Sequence, residues 1–168
     1  MQRRTLLKLG ALSAAVLIVA GGATVLLQPG LRQGKLTPAA QAIFSSVACA
    51  ILDRTLPTGD LDKQKALAGL LDRIDDLAQA FPPHVQAELS QLLGLLSTAV
   101  GRRTLAGLES DWPSASVTEV QQALQSMRLS RLALRQQSYH ALHDIVGAAY
   151  FSDASTWVTL GYPGPVNI

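Results

Sequence analysis

One cysteine in 168 residues excludes an internal disulfide framework and any site built on several thiolates. Cys49 reads as a small apolar residue of the interior. Charge is also scarce: 15% of residues are charged and 48% are hydrophobic, against roughly 25% charged in ordinary soluble domains. That balance excludes intrinsic disorder. Acids are missing from residues 1–35, which carry Arg3, Arg4, Lys8, Arg32 and Lys35. The other nine basic residues face all twelve acids across residues 36–168. The net charge of +2 and the pI near 8.9 therefore belong to the N-terminus. A nucleic-acid partner, which needs a basic patch on the folded part, is not expected. The sequence also has no glycine-rich phosphate loop, βαβ pattern or CxxCH motif, so nothing in it cradles a nucleotide or attaches a haem.

What the chain does have is leucine and alanine, 29 and 24 residues respectively. Both are strong helix formers, and β-branched residues are comparatively few, so an all-α domain is expected. Thr37-Pro38 makes a helix start, an N-cap hydroxyl followed by proline at the first position. Ala40, Ile43, Phe44, Val47, Ile51 and Leu52 then recur at helical spacing, and Pro57-Thr58-Gly59 stops the run. A second stripe runs through Leu67, Leu70, Leu71, Ile74, Leu77 and Phe81 to Pro82-Pro83. A third takes in Val85, Leu89, Leu92, Leu93, Leu96 and Val100 and frays near Gly101. Residues 101–115 are mixed, with a turn at Trp112-Pro113. Ser116 and Glu119 form a capping-box pattern that opens a fourth helix through Val120, Leu124 and Met127. A fifth follows a break near Leu129-Ser130, through Leu132, Tyr139, Leu142, Ile145, Val146 and Ala149. Five amphipathic stripes predict a compact bundle of about five helices over residues 36–168.

Residues 1–35 read as a signal or anchor with a linker. No charge falls between Leu9 and Leu31, and Gly10–Leu27 is almost wholly apolar. Before it stand Arg3-Arg4-Thr5-Leu6-Leu7-Lys8. A basic head before an apolar stretch is the physical form of an export signal. With Arg3 and Arg4 paired, Leu6 and Leu7 following and Lys8 closing, the string resembles the twin-arginine motif read by the transporter of folded proteins. Two fates are open. Gly21-Gly22-Ala23 offers small residues for a peptidase, whereas Gly10–Leu27 kept as one helix would span about 27 Å, close to a bilayer's hydrocarbon core. The domain is then periplasmic, either free or anchored to the inner membrane through residues 10–27.

Three charged groups invite a chemical reading. His140, His143 and Asp144 lie at helical spacing that lets two histidines and a carboxylate converge on a metal or share a proton. Without a third nitrogen, sulfur or glutamate nearby, a hydrogen-bonding structural role is expected instead. Arg128, Arg131 and Arg135 lie at i, i+3 and i+7 and so make a basic stripe, suited to an acidic partner surface, an anionic group or solvent. Asp72, Asp75 and Asp76 make an acidic counterpart expected to face water. No catalytic, metal or cofactor-binding residue is assigned in this chain.

The last 19 residues hold four of the eight aromatic side chains, Tyr150, Phe151, Trp157 and Tyr162, and no charged side chain follows Asp153. Pro163-Gly164-Pro165 forbids a regular helix, so the tail is expected to be irregular. An uncharged aromatic tail suits packing on its own domain or on another chain, and Tyr and Trp are favoured interface anchors.

The leader RRTLLKLG, the helix end ILDRTLP and the closing AYFSD…TW..LGYPGP together resemble the gluconate 2-dehydrogenase subunit 3 family. The spacer Ala154-Ser155-Thr156 is shorter than the glycine-rich insert common there. The resemblance implies a small helical subunit that is not itself an enzyme and holds no cofactor. Its partner would be a large FAD-dependent dehydrogenase of the glucose–methanol–choline type. The small subunit would carry this partner through the twin-arginine transporter, with Tyr150, Phe151, Trp157 and Tyr162 as its anchors. Two rivals stand beside it: a stand-alone, membrane-anchored periplasmic binding module, and a small metal-dependent enzyme using His140, His143 and Asp144.

Overall fold

The computed structural model describes residues 28–162 and residue 164. Arg3, Arg4, Leu6, Leu7 and Lys8, and the apolar run 10–27, lie outside the described residues. Residues 31–35, expected to be linker, are folded together with Leu36. Strand β1 (Leu31–Arg32) pairs antiparallel with β2 (Lys35–Leu36), placing Leu31 opposite Leu36 and Arg32 opposite Lys35. The intervening Gln33-Gly34 has φ of 53° and 77°, the left-handed pair that a two-residue hairpin requires. Leu31 and Leu36 are buried, and the Leu36 N–H donates to Asp75 Oδ1 at 2.7 Å.

Six helices follow, five of them long. Helix α1 (Pro38–Ile51) starts at the proline, but the Thr37 hydroxyl donates to Gly30 O at 3.1 Å instead of capping the helix. The hairpin has taken over the cap. Helix α2 (Asp60–Ala80) and helix α3 (Pro83–Ser97) meet at Phe81-Pro82. Helix α4 (Ala99–Gly101) is a single turn that runs into a π-helical turn, Arg102–Ala106. Helix α5 (Val117–Arg128) opens on the full capping box, with Ser116 Oγ accepting from Glu119 N–H and the Glu119 carboxylate accepting from Ser116 N–H. Helix α6 (Ala133–Phe151) leads into a 3-10 segment, Ala154–Leu160. The tail, expected to be irregular, therefore winds into a tight helix before its prolines.

Helix α1 is the hub, packing on α2, α3, α5 and α6. Its Ile43, Phe44 and Val47 are fully buried, together with Leu70, Ile74, Leu93, Leu96, Met127, Leu142 and Val146 from the helices around it. Each such side chain contributes about 1.5–3 kcal/mol through burial. The apolar stripes are thus the inner faces of the bundle. The differences fall at helix ends. Val100 and Leu132, expected on inner faces, are 71% and 65% exposed, because the chain turns at Thr98 and again between Leu129 and Leu132. Trp112, expected only to mark a turn, is buried, and its indole N–H donates to Leu96 O at 2.9 Å.

Candidate functional site

The C-terminal end of α6 carries the aromatic group singled out by composition. A helix leaves its last four carbonyls without intrahelical donors, and here each has found one. Ala148 O accepts from Ser152 N–H at 3.0 Å. Ala149 O accepts from Arg73 Nε at 2.8 Å and from Ser152 Oγ at 2.9 Å. Tyr150 O accepts from Thr156 Oγ1 at 3.1 Å and from Asp153 N–H at 3.4 Å. Phe151 O accepts from the Trp157 indole N–H at 2.7 Å. The tail is therefore the C-cap of the last helix, and Trp157 spends its one donor there.

Asp153 starts the 3-10 segment. Its Oδ1 accepts from both the N–H and the hydroxyl of Ser155, at 2.9 and 2.7 Å, and Arg73 stands 3.3 Å from Oδ2. Those two Ser155 bonds, aided by Arg73, hold the Asp153 carboxyl below its ordinary value. Arg73 thus ties α2 to both the last helical turn and the tail. A cleft of about 310 Å³ opens beside it, lined by Arg73, Asp76, Leu77, Ala148, Ala149 and Ser152.

The four aromatic candidates have separate placements. Tyr150 is a core residue, buried, with its hydroxyl donating to Thr55 O at 3.3 Å. Phe151 sits edge-on to it at 5.1 Å between ring centroids and remains 38% exposed. Trp157 is half-buried and tilts against Tyr162 at 5.5 Å, and Tyr162 is 49% exposed. Phe151 and the Trp157–Tyr162 pair therefore present aromatic surface at the end of α6, linked by the indole bond to Phe151 O, while Tyr150 is buried.

The other groups are less concentrated. His140 and His143 are exposed and both touch the Tyr139 ring, which His143 stacks against and His140 meets edge-on. His143 Nδ1 lies 3.0 Å from Asp144 Oδ1. Among the described residues no three or more His, Cys, Asp or Glu side chains gather as a metal site would require. The arginines do not form one stripe, because the break before α6 separates them. Arg128 bonds Gln125, whereas Arg135 donates to Leu105 O at 2.8 Å and to Ser126 Oγ at 2.6 Å, fastening the π turn to α5 and α6. Asp75 is likewise committed to the hairpin, leaving Asp72 and Asp76 exposed. Cys49 is half-buried against the core.

Sequence reasoning missed one polar group, Arg102. Its guanidinium is 7% exposed, pairs with Asp111 and donates to Glu109 O at 3.1 Å, while Nε has no partner. A basic residue in a mixed segment gives no periodic signal of burial. No family model, curated protein or solved structure matches this chain.

Proposed function

We propose that this chain is a non-catalytic small subunit that binds a large FAD-dependent dehydrogenase of the glucose–methanol–choline type and carries it through the twin-arginine route to the periplasm. The observation that supports the binding role is the aromatic surface of Phe151, Trp157 and Tyr162. Phe151 ends α6, and Trp157 and Tyr162 follow in a tail with no charge after Asp153, fastened by Thr156 and Trp157 to the carbonyls of α6. Rigid aromatic side chains bury large area at small entropic cost, which is what an interface anchor requires. The export role rests on the sequence alone, on Arg3-Arg4 with Leu6, Leu7 and Lys8 before an apolar run. A transporter of folded cargo fits a flavoprotein that takes up FAD before crossing. The FAD belongs to the partner, and this chain supplies an address and a grip.

Two substitution sets in the chain co-expressed with its flavoprotein test the two halves separately. Arg3→Lys with Arg4→Lys is expected to strand both proteins in the cytoplasm while leaving them able to co-purify. Phe151→Ala with Tyr162→Ala is expected to keep the helical circular dichroism and to lose the yellow, flavin-absorbing partner from the pull-down. Export of the flavoprotein by the Lys-Lys variant would overturn the carrier role. A full yield of complex from the aromatic double variant would overturn the anchor assignment. A pull-down from the unaltered chain that yields a colourless monomer would instead favour a stand-alone binding module.

A further inference from the structure

The first described residues are seated in the fold without slack. The Gly30 N–H donates to Ser90 O at 3.0 Å, and the Leu31 N–H donates to Ser90 Oγ at 3.1 Å. Gly30 O in turn accepts from Thr37 N–H at 2.9 Å. Two glycines allow this approach to α3: a Cβ on Gly94 would stand 2.5 Å from Gln28 O, and one on Gly30 would collide with Leu93. As numbering falls from Leu31 to Gln28, it rises along α3 from Ser90 to Gly94. The chain therefore enters the domain from the side of α3's C-terminal end. There, Val100 is 71% exposed. No charged side chain occurs from Leu89 to Gly101, after which come the buried Arg102, paired with Asp111, and the exposed Arg103, whose Nε lies 2.9 Å from Glu109 Oε2.

We infer that the C-terminal end of α3 and the turn after it, with Ala99, Val100 and Arg103, form the face held against the headgroup layer of a phospholipid bilayer. The inference rests on the reading of Gly10–Leu27 as a retained membrane helix. That apolar run ends at Leu27, and Gln28 is already packed on Gly94. One extended residue spans about 3.3–3.6 Å, so no spacer separates the end of the run from the domain. The nearest surface must then meet the interface. Its chemistry suits that position: an uncharged stretch loses little on partial desolvation, and the Arg103 guanidinium, which gives only Nε to Glu109, keeps its terminal N–H groups for lipid phosphate.

The test uses the full chain with Cys49→Ala and one new cysteine, either Val100→Cys or His84→Cys, labelled with an environment-sensitive fluorophore. His84 is exposed and lies on α3 about 20 Å before Ser97. Both chains are reconstituted into vesicles of phosphatidylcholine and phosphatidylglycerol containing a headgroup-nitroxide lipid, floated, and read for quenching. Flotation with quenching about threefold stronger at position 100 than at 84 is the expected result, since a headgroup nitroxide quenches only fluorophores close to it and about 20 Å of α3 separates His84 from the turn that carries Val100. Flotation with equal quenching, or stronger quenching at 84, would overturn the inference while leaving the membrane helix intact. Failure to float would overturn the retained helix, and the membrane-facing surface with it.

Discussion

Arg102 is the side chain whose partners are most unequal. Its guanidinium is nearly enclosed, whereas the carboxylate it pairs with, Asp111, is 74% exposed. Removing either member therefore leaves a different remainder. Asp111→Asn strands a buried cation whose Nε already lacks a partner, and a cost of about 2–3 kcal/mol is expected. Arg102→Met leaves a carboxylate that water can solvate and an apolar stem of similar length in the same space, so about 1 kcal/mol or less is expected. Urea unfolding of the two variants checks this. Equal losses would mean that the pair acts as an exposed salt bridge. Glu119 shows the other regime: Ser116 and Ser110 lower its carboxyl, but it does so at the surface.

At the scale of elements, the 3-10 segment depends on one ionised carboxylate. Asp153 accepts its two Ser155 bonds more strongly when charged, and they hold its carboxyl below the ordinary 3.8. Its contribution to stability is present above the unfolded-state value and is lost as pH falls through the lowered folded-state value. An NMR titration of the Ser155 amide is expected to show a midpoint below 3.8, and Ser155→Ala should move the Asp153 midpoint upward. A midpoint at or above the ordinary value would break the link. The long helices were legible because periodicity repeats over many residues: the stripe Ile43, Phe44, Val47 and the Ser116–Glu119 box both sit where their patterns place them. The hairpin was not, since two-residue strands have no period and their bonds run to Ser90 and Asp75, far along the chain. Of the candidate site, composition located the aromatic end but could not divide it. Only tertiary packing decides that Tyr150 points inward to Thr55 O while Phe151 and Tyr162 remain at the surface.

For the described residues as a whole, the first strand and the segment after α6 are each fastened to helices made from the middle of the sequence. The N-terminal strand leans on α3, and the C-terminal tail leans on α2 through Arg73. Arg73→Met keeps the stem's packing and deletes the bonds to Ala149 O and Asp153. A loss of about 1–2 kcal/mol is expected, discounted for the partial exposure of both partners. The Trp157 indole N–H resonance should shift while that of Trp112 stays fixed. Movement of both signals, or of neither, would show that the clamp is not local to the tail.

The clamp at Arg73 also has a consequence for assembly during synthesis. Helix α6 has no basic residue in its own last turn, and Arg73 of α2, 76 residues before Ala149, donates to the Ala149 carbonyl there. The aromatic surface is therefore complete only after the first and last parts of the domain have met. A partner that grips Phe151, Trp157 and Tyr162 together then engages a finished domain and passes over a half-made one. On the proposed binding role, quality control is written into this surface itself.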